Sequence, residues 1–195
     1  QVGVYFYSGA SNAREAYDEA SYCISLIRDY QITYPVAFDW ELDGDYDSVT
    51  EACETFCNVI SSYGYQPMVY SNRNRWYNNF DGEKIASKYK VWMAAYFGKF
   101  YYDSVRWTYG DDLPNFRYHY DMWQYSSRCY VDGISGQVDV DIAFFGYANY
   151  HVDTKDAVLT VTNKEIKRTY GDGIGRLTEE LNLLDGVKGI NTIGY

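Results

Sequence analysis

Short apolar runs alternate with stretches of helical periodicity along the first half of this chain, and few folds accept that alternation. Residues 2–7 read as a strand. Asn12 with Glu15 resembles a helix cap, and Ala13, Ala16, Ala20, Ile24 and Ile27 then recur at helical spacing. A second strand is predicted over 35–39. Ser48-Val49-Thr50-Glu51 reads as a capping box that opens a helix with Val49, Cys53, Phe56 and Ile60 on one face. A strand over 67–71 follows, then short helix and loop over 76–89 and a strand over 90–96. Beyond a long aromatic, Asp-rich loop come strands over 120–125 and 138–145, the last entered through the turn Gly133-Ile134-Ser135-Gly136. This β-α-β-α-β order predicts a mainly parallel sheet with right-handed crossovers. The late connections are too short or irregular for full helices. Six strands within residues 1–150 fall short of the eight strands and ~250 residues of a typical (β/α)8 barrel.

The second predicted strand ends in Phe38-Asp39-Trp40-Glu41. Residues i and i+2 of a strand share a face, so Asp39 and Glu41 are expected side by side, with Cα atoms roughly 6–7 Å apart. Two carboxylates on one inward face repel each other, and burial adds to the cost of ionising them. Such pairs are kept mostly where acid–base chemistry uses them. Two solvated acids at a strand end are the bland alternative. The apolar lead-in Tyr34-Pro35-Val36-Ala37-Phe38 and the intervening Trp40 argue against it.

Composition narrows the partners. The 195 residues carry 17 Lys+Arg against 27 Asp+Glu, a net charge of −10. No basic run is present, so neither nucleic acid nor an anionic membrane surface is an expected partner. No apolar run approaches the ~20 residues that span a bilayer. Gln1 leads straight into the first strand with no signal-peptide pattern; the missing initiator Met fits processing or excision from a longer chain. The 24 Tyr exceed the 9 Phe and 5 Trp together. Aromatic faces stack on sugar rings and phenols hydrogen-bond sugar hydroxyls, so this excess fits a wet, ligand-facing surface as well as an aromatic core. Cys23, Cys53, Cys57 and Cys129 form no Cys-x-x-Cys pair, and His119 and His151 are the only histidines. A zinc site is therefore not expected. Cys53 and Cys57 are expected as packing thiols, and a bridge from Cys23 to their helix stays open.

Several segments together resemble glycoside hydrolase family 25, the muramidases also called Chalaropsis-type or phage-type lysozymes. Val2-Gly3-Val4-Tyr5-Phe6-Tyr7-Ser8 is similar to that family's third barrel strand, and residues 13–19 to the helix that follows. Pro35-Val36-Ala37-Phe38-Asp39-Trp40-Glu41 resembles the fourth strand with its Asp-x-Glu. Met68-Val69-Tyr70-Ser71-Asn72 resembles the fifth, and Val91-Trp92-Met93-Ala94-Ala95-Tyr96 the sixth. Met122-Trp123-Gln124-Tyr125-Ser126 resembles the seventh, and Gly133-Ile134-Ser135-Gly136-Gln137-Val138-Asp139 the turn into the eighth. The resemblance implies an α/β fold, an irregular TIM-like barrel whose last strands lack helices. It is incomplete here, with strands three to eight of the pattern in residues 1–150. The family's first two strands, one bearing a further active-site Asp, have no counterpart. A missing upstream segment or a partner chain is expected to complete the barrel. Residues 151–195 are expected to form a linker and partial C-terminal module. Within them 152–162 reads as linker or short strand, and 164–184 as a helix broken by Gly171-Asp172-Gly173-Ile174-Gly175.

The resemblance also implies hydrolysis of the β-1,4 bond between N-acetylmuramic acid and N-acetylglucosamine in peptidoglycan, at the bacterial cell wall, by a secreted or phage-delivered enzyme with no metal or cofactor. Glu41 is then expected as general acid/base, with burial beside Trp40 and Asp39 favouring its protonated form. Asp39 is expected to stay ionised and orient the substrate's acetamido group, as in substrate-assisted schemes. Asp139 is expected to line the site from the last strand. Asp141 faces the same side by parity and reads as structural. Tyr5, Tyr70, Trp92, Tyr96 and Trp123 are candidate substrate-binding walls, with core packing an equal alternative for each. The rival reading is a non-catalytic glycan-binding or assembly protein on a degraded barrel.

Overall fold

The computed structural model describes residues 1–102, 105–108 and 110–145. The expectations for 151–195 lie outside them. Six strands form one sheet in the order β1 (Val4–Tyr7), β2 (Val36–Asp39), β3 (Pro67–Asn72), β4 (Lys90–Ala94), β5 (Met122–Cys129) and β6 (Val138–Ala143). Strands β1 to β5 run parallel, and β6 returns antiparallel along β5. The sheet curls, so that Tyr5 of β1 meets Trp92 of β4 edge to face at 6.4 Å between ring centroids. Tyr34, just before β2, stacks on Phe145, just after β6, at 4.8 Å. The mainly parallel sheet is the one the alternation predicts, and its curl into a half-barrel is consistent with the incomplete TIM-like barrel that the resemblance implies. Within the described residues β1 and β6 are the edges of the sheet.

Two long helices cover the convex face. Helix α1 (Ala13–Ile27) begins at Asn12, whose side chain accepts from Glu15 N at 3.0 Å; Glu15 in return accepts from Ser11 N at 2.7 Å. Each bond satisfies a donor that the first helical turn leaves open. Helix α2 (Tyr46–Ser62) starts earlier than the capping-box reading predicts. Its cap is Asp45, which accepts from Ser48 N at 3.0 Å. Asp is as good an N-cap as Ser, and the earlier start adds a turn over Tyr46 and Asp47. The short helices α3 (Arg73–Asn78), α4 (Gly82–Ala86) and α5 (Gly98–Tyr102) fill the later crossovers.

The core lies between the convex face and these helices. Val49, Cys53, Phe56 and Ile60 of α2 are all buried, and Phe56 sits 5.1 Å from the Phe38 ring of β2. Burying each such side chain contributes about 1.5–3 kcal/mol. All four cysteines are buried; Cys53 and Cys57 act as packing groups, and Cys23 makes no bridge.

Phe56 touches Phe6 as well as Phe38. Its loss leaves a cavity where helix meets sheet. Phe56→Ala is therefore expected to lower unfolding free energy by about 3–5 kcal/mol, measured by urea denaturation; a loss under about 1 kcal/mol would contradict this packing.

Candidate active site

On β2 the side chains alternate between two media. Phe38 goes to the helix-covered core, Asp39 to the concave face, and Trp40 back to the core, 1% exposed. Glu41 follows just beyond the strand and returns to the concave face. Trp40 is held through ring and backbone alike. Its indole meets Phe80 edge to face, its backbone N–H donates to Tyr70 O at 3.2 Å, and its backbone carbonyl accepts from Ser71 Oγ at 2.7 Å. Gly44 keeps the following loop close, since a Cβ there would stand 2.7 Å from Val49 Cγ2 and 3.2 Å from the Trp40 ring. Arg75 Nε donates to Leu42 O at 3.1 Å and ties the same loop to α3.

A cavity of about 730 Å³ opens on the concave side. Its walls are Tyr5, Tyr7, Asp39, Glu41, Tyr70 and Trp92 from the first four strands, with Gln124, Gln137, Val138, Asp139 and Asp141 from the last two and their connection. Tyr7 and Asp39 are the C-terminal residues of β1 and β2. The cavity thus lies where parallel barrels place their chemistry. Trp92 is held in position on three sides. Its Nε1 donates to Asp141 at 2.7 Å, and its ring meets Tyr70 at 4.7 Å and Tyr5 at 6.4 Å.

The expected acids Asp39, Glu41 and Asp139 share this cavity, as do the expected aromatic walls Tyr5, Tyr70 and Trp92. Tyr96 is not one of the lining residues; its hydroxyl donates to Oε1 of Gln124, which is. Trp123 does not belong here. It is fully buried on the opposite face, donates its Nε1 to Ala95 O at 2.9 Å and stacks on Phe97 at 5.5 Å. Since Gln124 faces the cavity, its neighbour Trp123 must face the core. Sequence reasoning missed Tyr7, Gln124 and Gln137. Tyr7 shares the parity of Tyr5, which is a signal available in the sequence.

Burial is distributed against expectation. Asp39 is only 6% exposed while Glu41 is half-buried. Desolvation, then the charges of Glu41 and Asp139, push the Asp39 carboxyl up to about 7. It is therefore substantially protonated near neutrality instead of staying ionised. Its Oδ1 is buried with no hydrogen-bond partner among the described residues. Asp141 is also pushed up to about 7, by desolvation, against the lowering effect of the Trp92 hydrogen bond, with Asp139 adding repulsion. Among the described residues no group of three or more His, Cys, Asp or Glu side chains is placed to hold a metal ion. None of their helices is long and apolar enough to cross a membrane.

Comparison with known proteins points the same way. Residues 1–134 match the family model for glycosyl hydrolases family 25. The lysozyme of Streptococcus phage Cp-1 is 29% identical over 137 residues, covering 65% of this chain and 37% of that protein. The solved CTP1L endolysin superposes with a TM-score of 0.56 at 26% identity, covering 72% of this chain and 46% of its own. The modular Cpl-1 endolysin, solved with a peptidoglycan analogue, gives a TM-score of 0.50 at 26% identity, covering 65% of this chain and 36% of its own. The chain thus spans less than half the length of each of these relatives.

Two acids with raised affinity for protons make stability depend on pH. Asp39 lies near 7 in the folded chain and near 3.8 when unperturbed. Between those values the folded state binds the extra proton, so its contribution to stability is full below about pH 4 and is lost as pH rises through 7. Asp39→Asn removes this loss. The variant is expected to exceed the parent by about 1–3 kcal/mol at pH 7.5, with the advantage shrinking toward pH 4.5. Thermal unfolding of both proteins across that range checks it; an advantage independent of pH would contradict the assignment.

Proposed function

Because this chain belongs to glycosyl hydrolases family 25, we propose that its cavity binds the glycan strands of bacterial peptidoglycan and hydrolyses the β-1,4 bond between N-acetylmuramic acid and N-acetylglucosamine. The observation that carries this reading is the meeting of Asp39, Glu41 and Asp139 in one cavity walled by Tyr5, Tyr70 and Trp92. Sugar-cleaving sites combine these ingredients: carboxyl groups to move a proton and stabilise positive charge, and aromatic faces to seat the rings. By motif order, β1 to β6 are read as the third to eighth strands of the family's barrel. The site of action is read as the cell wall outside the membrane, reached by secretion or phage delivery.

Glu41 is the general acid. It gives its proton to the glycosidic oxygen as the bond to the anomeric carbon breaks, and it is then the base that takes a proton from the incoming water. The acetamido carbonyl oxygen attacks the anomeric carbon from the other face, so that water later opens a cyclic intermediate formed by the substrate itself. Asp39 receives the acetamido N–H on its unpartnered Oδ1. A donor at that position favours the ionised carboxylate, which opposes the desolvation that holds this carboxyl near 7. Substrate binding and loss of the Asp39 proton are therefore linked. Asp139 adds negative potential opposite the developing positive charge, and Asp141 fixes Trp92.

Glu41→Gln keeps the shape and removes the transferable proton. It is expected to lower the rate of peptidoglycan lysis at least about 100-fold, followed as turbidity loss of purified walls, with an unchanged circular dichroism spectrum. A folded variant with parental lytic rate would sink the assignment.

A further inference from the structure

Gln124 is a buried amide with half of its hydrogen bonds made. It is 4% exposed and lines the cavity. Its Oε1 accepts from Tyr70 Oη at 2.8 Å and from Tyr96 Oη. Its Nε2 carries two N–H donors and has no acceptor among the described residues. Buried side-chain amides normally satisfy both ends. Both phenols remain donors, because burial raises Tyr96 to about 12 and Tyr70 further still. With two donors converging on one end of the amide, that end is the oxygen, and the N–H2 group is left facing the cavity. Gln124 is also the register partner of Asp141 on β6.

The second unpartnered group in the same cavity is the acceptor Asp39 Oδ1. Asp39 ends β2 and Gln124 lies on β5, with β3 and β4 between them. A free acceptor and a free donor thus come from different walls. A secondary amide carries the complementary pair, an N–H and a C=O that point in opposite directions across one rigid plane.

We infer that Gln124 is a specificity-determining residue, whose amide N–H2, held in one orientation by Tyr70 and Tyr96, donates to the acetamido carbonyl oxygen of the bound sugar, on the lone pair that the attack on the anomeric carbon does not use. This deepens the glycan reading above and rests on it. The tyrosines are positioning residues that act through Gln124. Selection comes from the cost of covering these donors without pairing them: a bound ligand with a hydroxyl in place of the acetamido group shuts water out and leaves them facing nothing.

The test uses the 195-residue chain and two neutral trisaccharides. Chitotriose and cellotriose differ by an acetamido group against a hydroxyl at C2. Dissociation constants for both are measured by NMR titration for the native chain, Gln124→Glu and Gln124→Met. Gln124→Glu retains an acceptor for the two phenols while losing the donors, and Gln124→Met is uncharged, so no single side effect is common to both. Thermal unfolding establishes that each variant is folded. The native chain is expected to prefer chitotriose about tenfold or more, and both variants to lose about tenfold of that preference through weaker chitotriose binding. A preference unchanged in both variants, or equal loss for both sugars, would overturn the role of Gln124 and leave the glycan reading standing. A native chain that binds neither sugar would overturn both.

Discussion

The site depends on which way Trp40 points. Strand side chains change face at every step, so a slip of one residue would send Asp39 and Glu41 into the helix-packed core and Trp40 into the cavity. The register is fixed by more than the ladder. Trp40 is clamped by Phe80, by Tyr70 O and by Ser71 Oγ, and the loop beyond it is pressed close at Gly44 and tied by Arg75. Apolar burial on one face thus supplies the free energy that holds two acids on the other. The bulky residue between the carboxylates is a structural anchor, and its size is what makes their placement stable.

The fold was largely legible because its signals are local. The periodicity of α1 and α2, the Asn12 cap and six apolar runs all appear in the structure as read, with ends shifted by a few residues. The start of α2 was less legible because Asp45 and Ser48 are both competent caps, and the helix takes the earlier one. In the site, Asp39 and Glu41 follow from strand parity alone. Trp123 and Gln124 do not, because parity says only that they face opposite ways. Which of them faces the core depends on the curl of the whole sheet, on Phe97 and Phe100 stacking against Trp123, and on the phenols that reach Gln124.

The relative burial of the two acids of the Asp-x-Glu pair was not legible for a related reason. Asp39 still belongs to the ladder, paired with Tyr7 and Tyr70, and is shielded by their walls. Glu41 has left the strand and stands at the rim. Two steps along the chain therefore separate a desolvated carboxyl from one that water still reaches. The proposed mechanism uses that division: in it the rim position exchanges protons with an incoming water, and the deep position waits for a donor from the ligand.

The direction of β6 explains how the third acid reaches the same cavity. A parallel strand brings its last residues to the catalytic end, and Tyr7 and Asp39 arrive that way. Because β6 runs antiparallel to β5, its first residues, Val138 and Asp139, arrive there instead. The turn at Gly133 and Gly136 thus takes the place of a crossover helix, and both glycines adopt the positive φ angles that tight turns require. Along β5 the pairs Gln124–Asp141 and Ser126–Val140 enclose an extra residue, a bulge that separates the parity of the two strands. Gln124 and Asp141 can then share the cavity while Val140 packs against the core. The irregular end of the barrel is where its donor, its Trp92 anchor and its third acid are assembled, and a regular βαβ unit there would have delivered a different strand end to the site.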